Sequence, residues 1–207
     1  MQAILIANPK GGCGKTTLAT NLAGCLANRN ARVTLWDLDR QKSSLEWLSI
    51  RPAQLPAVRS LDGEDTDEIK LPRGKSWLVL DSAAGLHGKT LRRALRPVHK
   101  VLVPIQPSLF DMAATRDFLA VLHEEKAVRK HKAFVGMVGM RVDPRTRAAA
   151  TLEAFLKQFD LPVLTCLRDT QNYPNAAFTG RSIFDLPPSL IERDLEQWQP
   201  LIDWLEA

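Results

Sequence analysis

Pro9-Lys10-Gly11-Gly12-Cys13-Gly14-Lys15-Thr16-Thr17 is the stretch that decides how this chain folds. It follows a short apolar run, Ala3 to Ala7, and opens a segment, Thr16 to Asn28, in which Leu18, Leu22, Cys25 and Leu26 recur at helical spacing. Glycine reaches backbone conformations closed to other residues, so a glycine-rich turn from strand to helix lets successive N–H groups converge on phosphate oxygens. In such a loop Lys15 supplies charge to the β and γ phosphates, and the Thr16 hydroxyl is placed to bind magnesium. An incidental turn does not account for three glycines in four residues followed by Lys-Thr. Phosphate contacts are expected along Gly11, Gly12, Cys13, Gly14, Lys15, Thr16 and Thr17.

Outward from this loop, short β-rich runs alternate with helical patterns: Arg32 to Trp36, Ser76 to Leu80, Lys100 to Val103, Phe134 to Gly139 and Pro162 to Thr165. Continuous apolar strands separated by helices predict an α/β three-layer fold, a mainly parallel sheet flanked by helices on both faces. A second core-facing helix is expected over Ala113 to Glu125, from Phe118, Leu119 and Leu122. Arg51 to Arg73, with prolines, acids and scattered apolar residues, reads as an irregular excursion or a weak edge element. No linker, repeat or low-complexity tract divides the 207 residues, so one domain over 1–207 is expected.

Composition sets the surroundings. With 45% hydrophobic and 25% charged residues the chain is of the ordinary globular class, which excludes disorder and collagen-like repetition. Its longest apolar runs, such as Val101 to Ile105, fall far short of the roughly 20 residues of a membrane span. The start of the chain has no basic region ahead of an apolar one, so no secretory signal and a cytoplasmic location are expected. Cys13, Cys25 and Cys166 are too scattered for a disulfide framework. The formal charge of +5 makes a polyanionic partner plausible.

Two further segments carry acids at strand ends. Trp36-Asp37-Leu38-Asp39-Arg40-Gln41 places two carboxylates at i and i+2, which leave a strand end on one side and can approach a metal and a water together. Trp77-Leu78-Val79-Leu80-Asp81 is an apolar strand ending in an acid. The usual phosphate loop begins with Gly where this chain has Pro9, and an extra lysine, Lys10, stands directly ahead of Gly11-Gly12. With that lysine, Lys-Gly-Gly-x-Gly-Lys-Thr-Thr resembles the deviant phosphate loop of the ParA/MinD family of P-loop ATPases, and Asp37-Leu38-Asp39-Arg40-Gln41 resembles the family's Asp-x-Asp-x-Gln signature.

The resemblance covers nearly the whole chain and implies a P-loop NTPase fold, ATP and Mg2+ as cofactors, and ATP hydrolysis that is weak unless stimulated. It implies that Lys10 reaches across a dimer interface to the nucleotide of the other subunit, so that Lys10, Lys15 and Asp39 are the catalytic group. Asp39 would orient the attacking water, and Thr16, Asp37 and Asp81 would stand around the metal. A second cation near the transferred phosphoryl group stabilises its developing charge as an arginine finger does, which makes hydrolysis conditional on pairing. The match weakens in two places. Ala83-Ala84 stands where the family more often has prolines, and Gly139-Met140-Arg141 replaces the asparagine that many relatives turn toward adenine. Met140 lacks an amide's paired hydrogen bonds, so backbone groups near Leu167 to Thr170 are expected to hold the base.

ParA-type relatives bind DNA nonspecifically once ATP has paired them. By that resemblance Arg145, Arg147, Arg168 and Arg181 are the expected DNA contacts, made to phosphates and therefore salt-dependent. Two other basic clusters compete, Lys89 to Lys100 and Lys126 to Lys132, and either alone reads better as a solvated helix face. MinD-type proteins end in a basic amphipathic helix that docks on membrane. Ser189 to Ala207 is amphipathic but acidic, through Glu192, Asp194, Glu196, Asp203 and Glu206, so it is expected to pack on the sheet rather than on lipid. No helix-turn-helix module is expected ahead of the first strand. The function implied is a ParA-like partition or positioning ATPase, nucleoid-associated and dimeric with ATP. A ParB-like or cargo adaptor would stimulate it to segregate plasmid or chromosomal DNA or to place a protein cargo. The alternative is a metabolic enzyme of the dethiobiotin synthetase type, which shares the fold and phosphate loop.

Overall fold

Ala3, Ile4, Leu5 and Ile6 are all fully buried in strand β1 (Gln2–Ile6), as in a strand covered on both faces. The computed structural model describes residues 1–61 and 76–207. Within them seven strands, β1, β2 (Arg32–Asp37), β3 (Val58–Ser60), β4 (Ser76–Asp81), β5 (Lys100–Ile105), β6 (Phe134–Gly139) and β7 (Val163–Cys166), form one sheet of order β3-β2-β4-β1-β5-β6-β7. Every strand pair in it is parallel. The helices are α1 (Lys15–Asn28), α2 (Ser43–Ser49), α3 (Gly88–Leu95), α4 (Leu109–Glu124), α5 (Lys126–Arg129), α6 (Arg147–Leu156), α7 (Asn172–Ala177) and α8 (Pro188–Glu206).

Alternation along the strands assigns the two sides. Ala3, Leu5, Leu78, Leu80, Val101 and Val103 face a core closed by Leu91 of α3, Phe118 and Leu122 of α4 and Leu152 of α6. Ile4, Ile6, Val79, Leu102 and Val138 face the other way, onto Leu18 and Leu22 of α1 and Trp198 and Leu201 of α8. The sheet is thus the middle of three layers, and the phosphate loop emerges from its central strand at the carboxyl edge, where open α/β sheets bind ligands.

The structure shifts several boundaries, with consequences. β2 and β4 extend one residue past their expected ends, to Asp37 and Asp81, so both acids are last residues of neighbouring strands and are paired in register. α4 begins at Leu109 rather than Ala113, because Ser108 caps it by accepting from Asp111 N–H. Within the stretch from Arg51 to Arg73, Val58–Ser60 forms an edge strand on β2, and its residues 62–73 lie outside those described.

The acidic final helix packs inward as expected. Ile191, Trp198, Leu201, Ile202 and Leu205 of α8 are buried, while Glu192, Glu196, Asp203 and Glu206 remain exposed. The Lys100 ammonium donates to the carbonyls of Trp204 and, at 2.9 Å, of Leu205, completing the carbonyl end of α8. This removes Lys100 from the surface cluster it seemed to share with Lys89. Among the described residues no helix is long and apolar enough to cross a membrane.

Candidate nucleotide site

Asn8 anchors the phosphate loop. Fully buried at the end of β1, it donates its amide to Pro104 O and Thr115 Oγ1, both at 2.8 Å, and its Oδ1 accepts from Lys10 N–H at 2.9 Å. Two more ties fix the loop's walls: Gln106 Nε2 donates to Gly12 O at 2.7 Å, and Gly85 N–H donates to Pro9 O at 2.9 Å. Gly12 and Gly14 have φ of +77° and +99°, which explains glycine at both positions. Gly14 precedes α1 with no side-chain cap, so the first N–H groups of a 14-residue helix face the loop unspent.

The loop's two lysines are placed differently. Lys15 is 7% exposed and its ammonium donates to the Lys10 main-chain carbonyl at 2.8 Å. The Lys10 side chain is exposed and hydrogen-bonds no described group. Cys13 between them is buried filling, its thiol donating to the same carbonyl at 3.2 Å and pushed up in pKa by burial.

The carboxylates differ as well. Asp37 Oδ1 accepts from Asp39 N–H at 2.9 Å, and its Oδ2 accepts from Ser44 N–H and Oγ–H at 2.9 and 2.7 Å, so this side chain is engaged in shaping the turn into α2. Asp39 is half-buried, with Oδ1 accepting from Gln41 N–H at 3.0 Å. Asp81 is 1% exposed, and neither of its oxygens has a hydrogen-bond partner. Burial pushes its pKa up to about 7; the neighbouring Thr16 hydroxyl, which falls short of a full hydrogen bond, and the charge of Lys15 oppose this, and the negative charges of Asp37 and Asp39 reinforce it. A buried carboxylate without partners is costly, and a hard divalent cation is the kind of group that relieves it. Asp81 and the Thr16 hydroxyl therefore fit magnesium, while Asp37, with both oxygens already engaged, flanks them in register.

A cleft of about 580 Å3 runs from this end outward. Gly12, Thr16 and Thr17 line one end, and Met140, Leu167 to Thr170, Pro174 and Phe178 the other. The expected base-holding backbone thus borders the cleft, and Arg141 pairs with Asp169 at 3.1 Å on its rim. Beside Gln106, Leu109 and Phe110 are 72% and 73% exposed.

Of the four arginines read as DNA contacts, Arg145 is solvent-facing and forked onto Asp143 at 3.0 and 2.9 Å, holding that carboxyl down at about 2. Arg147 opens α6, exposed, behind the capping hydroxyl of Thr146. Arg181 is half-buried, with its carbonyl accepting from Trp47 Nε1 at 3.1 Å. Arg168 is placed differently from the other three. Its side chain is 28% exposed, and its guanidinium grips the fully buried Asp194 of α8 at 2.6 and 3.0 Å, so its charge is already engaged with an internal carboxylate. It does not pair with Asp169, which goes to Arg141. Sequence reasoning gave no role to Asn8, Gln106 and Ser44, which brace the site, or to Arg193, an exposed cation on α8 close enough to favour the Asp143 carboxylate. Asn8 had a visible signal, a polar residue just past an apolar strand.

Known proteins share the family and the fold. Residues 4–183 match the CobQ/CobB/MinD/ParA nucleotide binding domain. The maintenance of carboxysome distribution protein A of Halothiobacillus neapolitanus is 28% identical over 88% of this chain and 87% of its own length. The chromosome-partitioning ATPase Soj of Thermus thermophilus is 30% identical over 76% of each. Among solved structures, an ATP complex of a Cyanothece McdA variant superposes with a TM-score of 0.73 at 16% identity, covering 97% of this chain and 96% of that one, which establishes the shared fold.

Proposed function

The chain belongs to the CobQ/CobB/MinD/ParA nucleotide binding domain family, and from that premise we propose that it is a ParA-like positioning ATPase whose ATP-bound form is a homodimer. The observation that carries this reading is the division between the two loop lysines: Lys15 is drawn inward onto the Lys10 carbonyl, while the Lys10 side chain stands exposed at the mouth of the loop. A lysine serving its own nucleotide has reason to turn inward. One that faces out suits a second copy laid over the cleft, and the exposed side chains of Leu109 and Phe110, at the start of α4, offer such a copy apolar surface.

In this reading ATP lies along the cleft with its phosphates on Gly11 to Thr17. Lys15 exchanges its carbonyl partner for β and γ phosphate oxygens, and Thr16 and Asp81 hold magnesium beside them. The metal, when bound, neutralises charge on those phosphates. Asp39, on a turn braced by Asp37, orients water for in-line attack at the γ phosphorus, and the bond to the β-phosphate oxygen breaks to leave ADP and phosphate. Lys10 of each copy lies against the phosphates of the other, so turnover requires pairing.

The paired form would hold DNA through phosphate contacts from Arg145, Arg147, Arg181 and the newly found Arg193, without reading sequence. Acting in the cytoplasm on nucleoid DNA, it would be released by an adaptor that stimulates hydrolysis. Relatives named for chromosome partition and for carboxysome distribution put both DNA and protein assemblies within the range of cargo. The test is retention of nonspecific duplex DNA with ATP, ADP or no nucleotide across a salt series. Binding with ATP alone, falling steeply with salt, supports the reading; equal binding in all three states overturns it.

A further inference from the structure

Four residues other than glycine have positive φ among those described: Asn30, Lys42, His131 and Arg141. Asn30 and His131 follow the ends of α1 and α5, where a left-handed residue is routine. Lys42 occupies the opposite kind of place, the residue ahead of α2, with φ 52° and ψ 33° where helix starts are ordinarily extended. It offers α2 no side-chain cap, and its cation sits at the helix end that favours anions. Three local preferences are broken at one residue, whose hydrogen bonds run to Asp37 and Asp39.

Contacts made by Lys42 show what the departure achieves. Its ammonium reaches back across the turn and donates to the Asp37 carbonyl at 2.8 Å, while its N–H donates to the Asp39 carbonyl at 3.2 Å. Asp39 is therefore enclosed between two closures, one through the Asp37 carboxylate and one through Lys42. From this left-handed residue the side chain runs back over the turn to the Asp37 carbonyl. Building on the role given to Asp39 above, we propose that Lys42 is a positioning residue for hydrolysis: its ammonium tether fixes the turn that presents Asp39 to the attacking water.

The test compares Lys42→Met, Lys42→Gly and Lys42→Arg with Asp39→Ala, measuring kcat and KM for ATP with magnesium, the affinity for a fluorescent ATP analogue, and the thermal midpoint. Lys42→Gly relaxes the backbone without the ammonium, so it stays informative where Lys42→Met folds poorly. Loss of the tether is expected to lower kcat by about tenfold or more in both, with nucleotide affinity and KM within about twofold, since misplacing a reacting group acts on the chemical step. Lys42→Arg should recover part of the rate. If Lys42→Gly turns over ATP like the parent while Asp39→Ala is slow, the positioning role of Lys42 is overturned. If Asp39→Ala itself keeps the parent rate, the underlying role of Asp39 fails instead.

Discussion

The Lys15 ammonium lies 2.8 Å from the main-chain carbonyl of Lys10, so the buried lysine of the phosphate loop is held by the residue whose own side chain stands outside it. One short contact thus joins the ammonium assigned to the chain's own nucleotide to the backbone of the residue whose side chain is assigned to its neighbour's. The two lysines should be separable by mutation. Lys15→Ala is expected to abolish nucleotide binding, whereas Lys10→Ala should bind ATP within about threefold of the parent and lose turnover by about a thousandfold or more, the scale of an arginine-finger contact. Titration calorimetry with ATP and a phosphate-release assay on both variants check this; a Lys10→Ala variant with parental turnover would remove the second lysine from the chemistry.

Asp81 predicts a dependence on pH. Its native pKa is raised from 3.8 to about 7, mainly by burial, so between these values the folded state binds more protons than the unfolded one. Nucleotide-free protein should therefore gain stability from this group as pH falls from about 7 toward 4, and lose that contribution as pH rises through 7. Magnesium opposes the proton at the same carboxylate, so added Mg2+ and ATP should raise the thermal midpoint more at pH 8 than at pH 6. Asp81→Asn should flatten the pH profile and remove the magnesium increment. Thermal melts over that range, with and without Mg2+, provide the comparison.

Asp39→Ala leaves the phosphate loop and Asp81 untouched. It should form ATP-dependent dimers while hydrolysing ATP about a hundredfold more slowly, the lower end of what positioned general bases contribute. Single-turnover phosphate release measures the loss, and sedimentation checks that the dimers persist.

Arginines that read alike in the sequence should behave differently. Arg168→Ala leaves Asp194 buried without its counter-charge, held among the described residues only by Asn172 at 2.8 Å, which is expected to destabilise the fold by about 2–3 kcal/mol. Arg145→Ala and Arg147→Ala should leave the denaturation midpoint nearly unchanged and weaken ATP-dependent DNA binding, with a shallower salt slope. Urea unfolding beside DNA titration at several salt concentrations separates the two outcomes.

This contrast shows what the sequence could and could not yield. The phosphate loop was legible because its constraint is local: positive φ at Gly12 and Gly14 and a helix beginning at Lys15 leave few residue choices. The three-layer sheet followed from apolar runs at regular intervals, and the two acids from their places at strand ends. Asn8 bonds Pro104 and Thr115, Arg168 bonds Asp194, and Gln106 bonds Gly12, all across chain separations that only tertiary packing brings together. A basic residue in a loop looks the same whether it faces solvent or an internal carboxylate, so Arg145 and Arg168 could not be told apart until α8 was placed. Lys42 was passed over for the opposite reason: a lysine in a polar turn is unremarkable until its backbone angles are known.

The central claim is that ATP pairs two copies of this chain, with Lys10 of each reaching the other's phosphates and the exposed Leu109 and Phe110 taken up in the contact. Sedimentation velocity of the Asp39→Ala variant with magnesium, in ATP, in ADP and without nucleotide, tests it most directly, together with the double variant carrying Phe110→Ser. The expected result is a dimer in ATP only, with Phe110→Ser shifting it back toward monomer while ATP still binds. A monomer in ATP at protein concentrations far above cellular levels, or the same dimer in all three nucleotide states, would contradict the account.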